Sequence, residues 1–379
     1  MDGIGRSLIS HSALPPVSSA YAARRDHEMK KALFVILVLM IIAVGAFIYR
    51  SEFRPWWPPG GLNWNYHQLQ RIPHEGDKFS FAVMGDNKNS FSTFQSILRD
   101  LDSKTDQLTF AIDVGDLVFD GEQEKYRVFY NQIKDEKLPF LVALGNHDIR
   151  EEGRAIYYDI FGPFYYSFTV GNSYFIVLDD ANMVRIDDPQ MVWLKQQLTE
   201  SRSYSHIFVF LHVPLLAPGE GLPKPLSTVP GRELVRLMKY HPSLADKKQV
   251  NELLMLFRDY HVTRVFASHI HGYFAGDWEG VPYTITGGAG AELIGTDPEH
   301  YFYHYVVVHV DGDQVTTSIV RFPSPPAELW DRLVHAAALY THSFIVTNGP
   351  SIGFIALLIL FAYLLYLAWR KRLFRKHKR

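Results

Sequence analysis

Cysteine is absent from the 379 residues. That excludes disulfides and every thiolate metal site, so any bound metal must rest on oxygen and imidazole nitrogen. It also suits an oxidising space, where stray thiols are a liability. Excess positive charge is missing from the middle of the chain. The total is −2; removing the +7 of Arg370–Arg379 and the +2 of residues 1–31 leaves −11 for residues 32–369. An acidic middle argues against a nucleic-acid groove, which needs a basic footprint. No internal repeat is visible. Charged residues are an ordinary 21% against 47% hydrophobic, which argues for a packed core rather than disorder.

Two long apolar runs stand out. Ala32–Tyr49 and Ile352–Trp369 each hold eighteen residues without a charge. At ~1.5 Å per residue each makes about 27 Å of helix, enough for a hydrocarbon core. Thirty-one residues precede the first run and no small-residue cleavage site follows it, so a transmembrane helix fits better than a signal peptide. Lys30, Lys31, Arg24 and Arg25 lie before the first run, and the basic tail follows the second. This bias predicts cytoplasmic termini and an extracytoplasmic middle. Trp56, Trp57, Trp64 and Trp369 suit interfacial anchoring. The chain divides into a cytoplasmic segment (1–31), a span (32–49), a juxtamembrane linker (50–78), a catalytic domain (79–322), a second linker (323–350), a span (352–369) and a basic cytoplasmic tail (370–379).

From residue 79, short apolar runs alternate with helical spacing. Phe79–Gly85, Leu108–Gly115 and Pro139–Leu144 read as strands. Ser92–Leu101 and Gln123–Ile133 read as helices between them, a βαβαβ rhythm that implies a mainly parallel sheet. Tyr165–Val170 and Tyr174–Leu178 flank Gly171-Asn172, a hairpin signal. Asp188 as N-cap and Pro189 open a helix to about Thr199. Ile207–Leu211 is a buried strand, Val250–Tyr260 a helix and Val262–Ala267 a strand. Val281–Thr286, His304–Val310 and Gln314–Val320 make a β-rich end. A Pro/Gly-rich loop at 214–231 could cover a site.

Metal-binding side chains stand at these strand ends: Asp86 in GDNK, Asp116 in GDLVFDG, Asn146 and His147 in GNHD, His212 after IFVFL, and His269 and His271 in SHIHG. In an open α/β sheet, ligands gather beyond the carboxyl ends of strands. Carboxylate and imidazole donors suit Mn, Fe or Zn, and a pair of ions about 3.5–4 Å apart clamps both oxygens of a phosphoryl transfer. Each piece alone is commonplace; the ordered set is not.

That order, GD…GD…GNHD…H…SHxH, resembles the calcineurin-like metallophosphoesterases, including purple acid phosphatases and bacterial phosphodiesterases, over about residues 79–322. The resemblance implies a four-layer αββα sandwich, here flanked by two transmembrane helices. It implies two divalent or trivalent ions (Mn, Fe or Zn), bridged by Asp116. Asp86 and His271 hold the first, and Asn146, His212 and His269 the second. It implies His147 as general acid, with Asp148 or Asp120 as its acidic partner, and in-line attack by a metal-bound hydroxide on a phosphomonoester or phosphodiester. Two positions depart from the pattern. Lys88 stands where much of the family has a histidine ligand, and a protonated lysine cannot ligate. Phe119 stands where purple acid phosphatases have a tyrosine ligand. Lys88, with Asn146 and His147, is a candidate phosphate contact; the plainer alternative is a solvated lysine.

Two anchors near the site make a lipid-linked phosphate substrate and a bilayer partner reasonable expectations. The motif details favour a bacterial inner-membrane protein over a eukaryotic GPI-anchor remodelling enzyme. A receptor of another class, catalytically degenerate and binding a phosphorylated ligand, is the alternative that Lys88 and Phe119 motivate. His300, His304 and His309 read as a polar surface strand. Gly287–Gly290 reads as a tight connection near the metal site. Tyr157, Tyr158, Tyr165 and Tyr166 read as core at strand spacing.

Overall fold

The computed structural model describes residues 19–48, 56–74, 76–218, 242–295, 297–324 and 329–376. The segment before 19, the loop from 219 to 231 and the last three residues of the tail lie outside them.

Eleven strands form two sheets among the described residues. In the first, β1 (Lys78–Met84), β2 (Phe110–Asp113) and β3 (Phe140–Val142) run parallel, with Val83 opposite Ile112 and Asp113 opposite Val142. The second contains β4 (Tyr166–Val170), β5 (Ser173–Val177), β6 (His206–Phe210), β7 (Arg264–Ala267), β8 (Tyr273–Trp278) and β9 (Val281–Thr286) in the order β4-β5-β6-β7-β9-β8. Its four inner strands are parallel and its edges antiparallel. The chain then returns to the first sheet as β10 (Tyr303–Asp311) and β11 (Gln314–Phe322), antiparallel beside β1.

Three apolar cores separate four layers. Phe81, Phe110 and Leu141 of the first sheet meet Phe175, Phe208 and Phe266 of the second. The outer face of the first sheet packs under α3 (Thr93–Asp102), α4 (Gln123–Ile133) and α5 (Gly153–Phe161). The outer face of the second packs under α6 (Asp188–Glu200) and α7 (Lys247–Asp259). This is the expected αββα sandwich, and alternating residues of each strand feed two different cores.

Several local expectations change. Trp57 and Trp64 are buried in the domain core and Trp56 packs against it, so these rings are not interfacial anchors. Within the stretch expected as linker, α2 (Trp64–Leu69) covers the open edge of β3. There Asn65 exchanges two hydrogen bonds of 3.0 Å with the Val142 backbone, and Trp64 Nε1 donates to Phe140 O at 2.7 Å. An unpaired strand edge is thereby satisfied by a side-chain amide. The N-cap of α6 is Asp187, one residue before the expected Asp188, and its carboxylate accepts from Gln190 N. The β10 strand lies inside its sheet rather than on the surface: His304 is fully buried, whereas His309 is exposed. Tyr157 is core as expected but sits on helix α5, and its neighbour Tyr158 is exposed.

The two apolar runs lie in helices. α1 spans Ser19–Ile48, and α8 spans Leu329–Lys376, taking in most of the expected second linker. Among the described residues no helix is long and apolar enough to cross a membrane. Apolar side chains nevertheless stand exposed along both helices, among them Phe34, Leu39 and Ile42 on α1 and Ile355, Ile359 and Leu360 on α8.

Candidate metal centre

Every strand that carried a sequence signal ends on the same rim. Asp86 follows β1, Asp116 follows β2, Asn146 follows β3, His212 follows β6, and His269 and His271 follow β7. Ligand atoms of Asp116, His212 and His269 lie within 4.8 Å of one another, as do those of Asp86, Asp116 and His271. The sandwich brings the two sheets together here. A Cβ on Gly145 would lie 2.1 Å from Asp116 N, and one on Gly115 2.8 Å from both Gly145 N and His212 Nδ1. Only glycine permits that approach. Asp86, Asp116 and His269 adopt left-handed backbones (φ 60°, 58° and 64°), a strained conformation that clusters at functional sites.

The second-ion set is arranged as coordination vertices. His212 Nε2 lies 3.0 Å from Asn146 Oδ1 and 3.2 Å from Asp116 Oδ1, and His269 Nδ1 lies 2.9 Å from Asn146 Oδ1. Donors about 2.1 Å from one ion at right angles would sit roughly 3 Å apart. His212 Nδ1 faces Val114 O at 3.0 Å, which turns Nε2 toward the site. Burial opposes charge on His212, but Asp116, Asp86 and Asp180 outweigh it and push the ring up to about 10. The same balance on Asp116, where His212 and Lys88 outweigh burial, holds its carboxyl well below the usual range. This donor set fits a divalent metal, which would take the place of that proton.

Asp86 is different. It is fully buried, neither of its oxygens receives a hydrogen bond among the described residues, and burial followed by Asp116 pushes its carboxyl up to about 7. Gly287 explains its placement, since a Cβ there would lie 2.5 Å from Asp86 Oδ2; the glycine run is a close wall against the site, as expected. The Lys88 ammonium reaches into this same space. It stands 3.1 Å from Asp116 Oδ2 and 3.0 Å from His271 Nε2, with its side chain 9% exposed. The solvated-lysine alternative is therefore wrong.

His147 and Asp148 part company. The His147 ring contacts Phe119 O through Nδ1, and Arg150 Nη2 lies 3.0 Å from its Nε2. Burial, then the positive charges of Lys88 and Arg150, outweigh Asp116 and hold His147 down to about 4. The ring is thus neutral at neutral pH until a negative group arrives beside it. Asp148 is not its acidic partner. Its buried carboxylate accepts from Asp116 N, Val118 N and Gly145 N at 2.8–3.0 Å, bracing two ligand loops. Asp120 reaches His147 only through Arg150, which it holds at 2.8 Å. Arg150 itself, four residues beyond Asn146 in GNHDIR, was missed in the sequence, as was Asp180, which receives His212 N and Val213 N at 2.9 Å. His300, His304 and His309 bind elsewhere, to Tyr273 O, to Thr286 and Phe302, and to Ser80 and Ser318.

Oxygen and imidazole donors at coordination spacing, with Lys88, His147 and Arg150 beside them, are the groups that a divalent metal and an anionic ligand would require. Residues 79–273 match the calcineurin-like phosphoesterases, and the chain belongs to that family. No curated protein matches the chain. Among solved structures it is similar to purple acid phosphatase PPD1 of yellow lupin (Lupinus luteus), with 14% identity, a TM-score of 0.50, and coverage of 66% of this chain and 52% of that one. This chain thus spans about half the length of the lupin enzyme. It is also similar to GAP50 of the Plasmodium inner membrane complex (17% identity, TM-score 0.45, 70% and 95% covered). A third likeness is to PhoD (12%, 0.44, 72% and 78%). At 14% identity the likeness to the lupin enzyme concerns the fold alone.

Proposed function

We propose that the chain is a membrane-anchored phosphoesterase that hydrolyses a phosphomonoester or phosphodiester outside the cytoplasm. The observation that carries the catalytic reading is the meeting of Asp86, Asp116, Asn146, His212, His269 and His271 on one rim from five strand ends. Asp116, Asn146, His212 and His269 would hold Mn, Fe or Zn. When bound, the metal supplies Lewis acidity toward a phosphoryl oxygen and lowers the pKa of water.

The chain's own residues do the rest. Arg150 and Lys88 give the site positive charge for the ester. His147, fixed through Nδ1 to Phe119 O, presents Nε2 to the same space as Asp116 Oδ2, 3.9 Å away. A phosphate anion beside it raises its proton affinity, so that Nε2 can hold a proton and pass it to the leaving oxygen. The membrane reading is supported by the two uncharged runs, by the exposed apolar side chains along them, and by flanking bases that favour cytoplasmic termini. Anchors at both ends favour a lipid-linked phosphate as substrate.

The buried Lys88–Asp116 pair favours the second reading, a receptor for a phosphorylated ligand. The two are separated by assaying the detergent-solubilised full chain on chromogenic phosphomonoesters and phosphodiesters with added Mn. Turnover lost in Asp116→Asn and in His212→Ala is expected. Phosphate binding without turnover in any metal would favour the receptor.

A further inference from the structure

We propose that the Lys88 ammonium takes the place of the first ion, so that this site works with a single resident metal and a tethered cation. The inference rests on the phosphoesterase reading above and concerns how many ions that site takes.

One lone pair, on His271 Nε2, decides how many ions the site takes. His271 Nδ1 faces the backbone carbonyl of Glu292, an acceptor only, so Nδ1 carries the ring proton. The ring then has a single lone pair, on Nε2. Lys88 Nζ donates to that atom at 3.0 Å. A lone pair engaged by an ammonium proton is not available to a metal. His271 is thereby withdrawn from the first-ion set, which keeps only the carboxylates of Asp86 and Asp116. Of these, Asp116 is the second partner of the same ammonium, at 3.1 Å through Oδ2. Its other oxygen, Oδ1, faces His212 at 3.2 Å on the second-ion side. One carboxylate thus joins a lysine on one side to a metal position on the other.

Charge leads to the same count. Asp86, Asp116, Lys88 and one divalent ion sum to +1 in a pocket where both carboxylates are fully buried. A second divalent ion beside the ammonium would raise that to +3, at short range and away from water, where repulsion is least screened. The backbone fixes Lys88 in this role. Lys88 N donates to Asp116 O at 3.0 Å, and residue 88 has a left-handed φ of 44°. The lysine is tied to the loop it neutralises and is no freely swinging surface group.

The test counts ions in the purified full chain, stripped with chelator and reloaded with Mn, by elemental analysis and by electron paramagnetic resonance. The wild type should hold one Mn per chain with the signal of an isolated ion. Lys88→His, which supplies an imidazole at this position, and Lys88→Ala, which frees His271 Nε2, should each gain a second ion. The Lys88→His signal should be that of a coupled pair. Two ions in the wild type with a coupled signal would overturn the inference while leaving the phosphoesterase reading intact. A single ion in wild type and both folded variants would also overturn it, since Lys88 would not be the cause. No bound metal in the wild type would overturn both.

Discussion

Three backbone N–H groups converge on the Asp148 carboxylate, and this decides how that residue acts. It holds the Asp116 loop against the Asn146 loop, so its loss should be felt first in stability. Asp148→Asn replaces an acceptor oxygen with a donor facing backbone N–H groups. A cost of about 2–4 kcal/mol is expected in denaturant unfolding. A variant with full stability and a selectively altered pH profile of turnover would instead restore Asp148 to the role of proton partner. His304 carries a separate prediction. Burial, then Arg321, holds the ring down to about 4 against an ordinary 6.5. A depressed histidine stabilises the fold above its unfolded pKa, and that contribution is lost as pH falls from 6.5 through 4. The loss is about 3 kcal/mol at 1.36 kcal/mol per unit. Thermal melts of His304→Gln should fall less steeply than wild type over that window; parallel curves would refute the assignment. All six candidate metal donors were legible in the sequence, because each is a polar residue stranded at the end of an apolar run. The contacts of Lys88, Asp148 and Arg150 were not. They depend on left-handed turns and on loop-to-loop bonds that no local pattern encodes.

Elements built on apolar runs were equally legible, since a strand buried on both faces needs a continuous run such as FSFAVM or IFVF. Those missed were the ones whose pattern serves a neighbour. α2 hides in a Pro/Gly/Trp-rich stretch because its task is to seal the edge of β3, and β8 has exposed positions through its centre. In α5, aromatic residues near a hairpin gave an impression of strand spacing, but Tyr157 stands on the helix and donates its hydroxyl to Val142 O of β3. At α6 the error was one residue, and it can be measured. Asp187 accepts from Gln190 N at 2.8 Å, while the Asp188 side chain is 85% exposed. Asp187→Ala should cost about 1 kcal/mol, the usual worth of an N-cap, and Asp188→Ala much less. Equal costs in urea titrations would return the cap to Asp188.

At the scale of the whole molecule, the αββα domain buries its own apolar surface in three cores, whereas the apolar faces of α1 and α8 remain exposed. Burying a Leu, Ile or Phe side chain is worth about 1.5–3 kcal/mol, so rows of them left in water are costly. On the proposed anchoring, a bilayer would remove that cost for both helices. The distribution of charge then sets direction. Lys30 and Lys31 precede one run, and Arg370, Lys371 and Arg372 follow the other, so the proposed anchoring would put both ends on the cytoplasmic side. In membranes prepared from cells expressing the full chain, the protein should resist extraction by alkaline carbonate. Protease added from the extracytoplasmic side should cut between residues 55 and 325 and spare epitopes at both termini. Replacing Arg370, Lys371 and Arg372 with glutamine should weaken the fixed orientation of the second helix. Release by carbonate would refute the anchor, and protection of the middle with cleavage at the ends would reverse the topology while leaving the chemistry of the metal centre untouched.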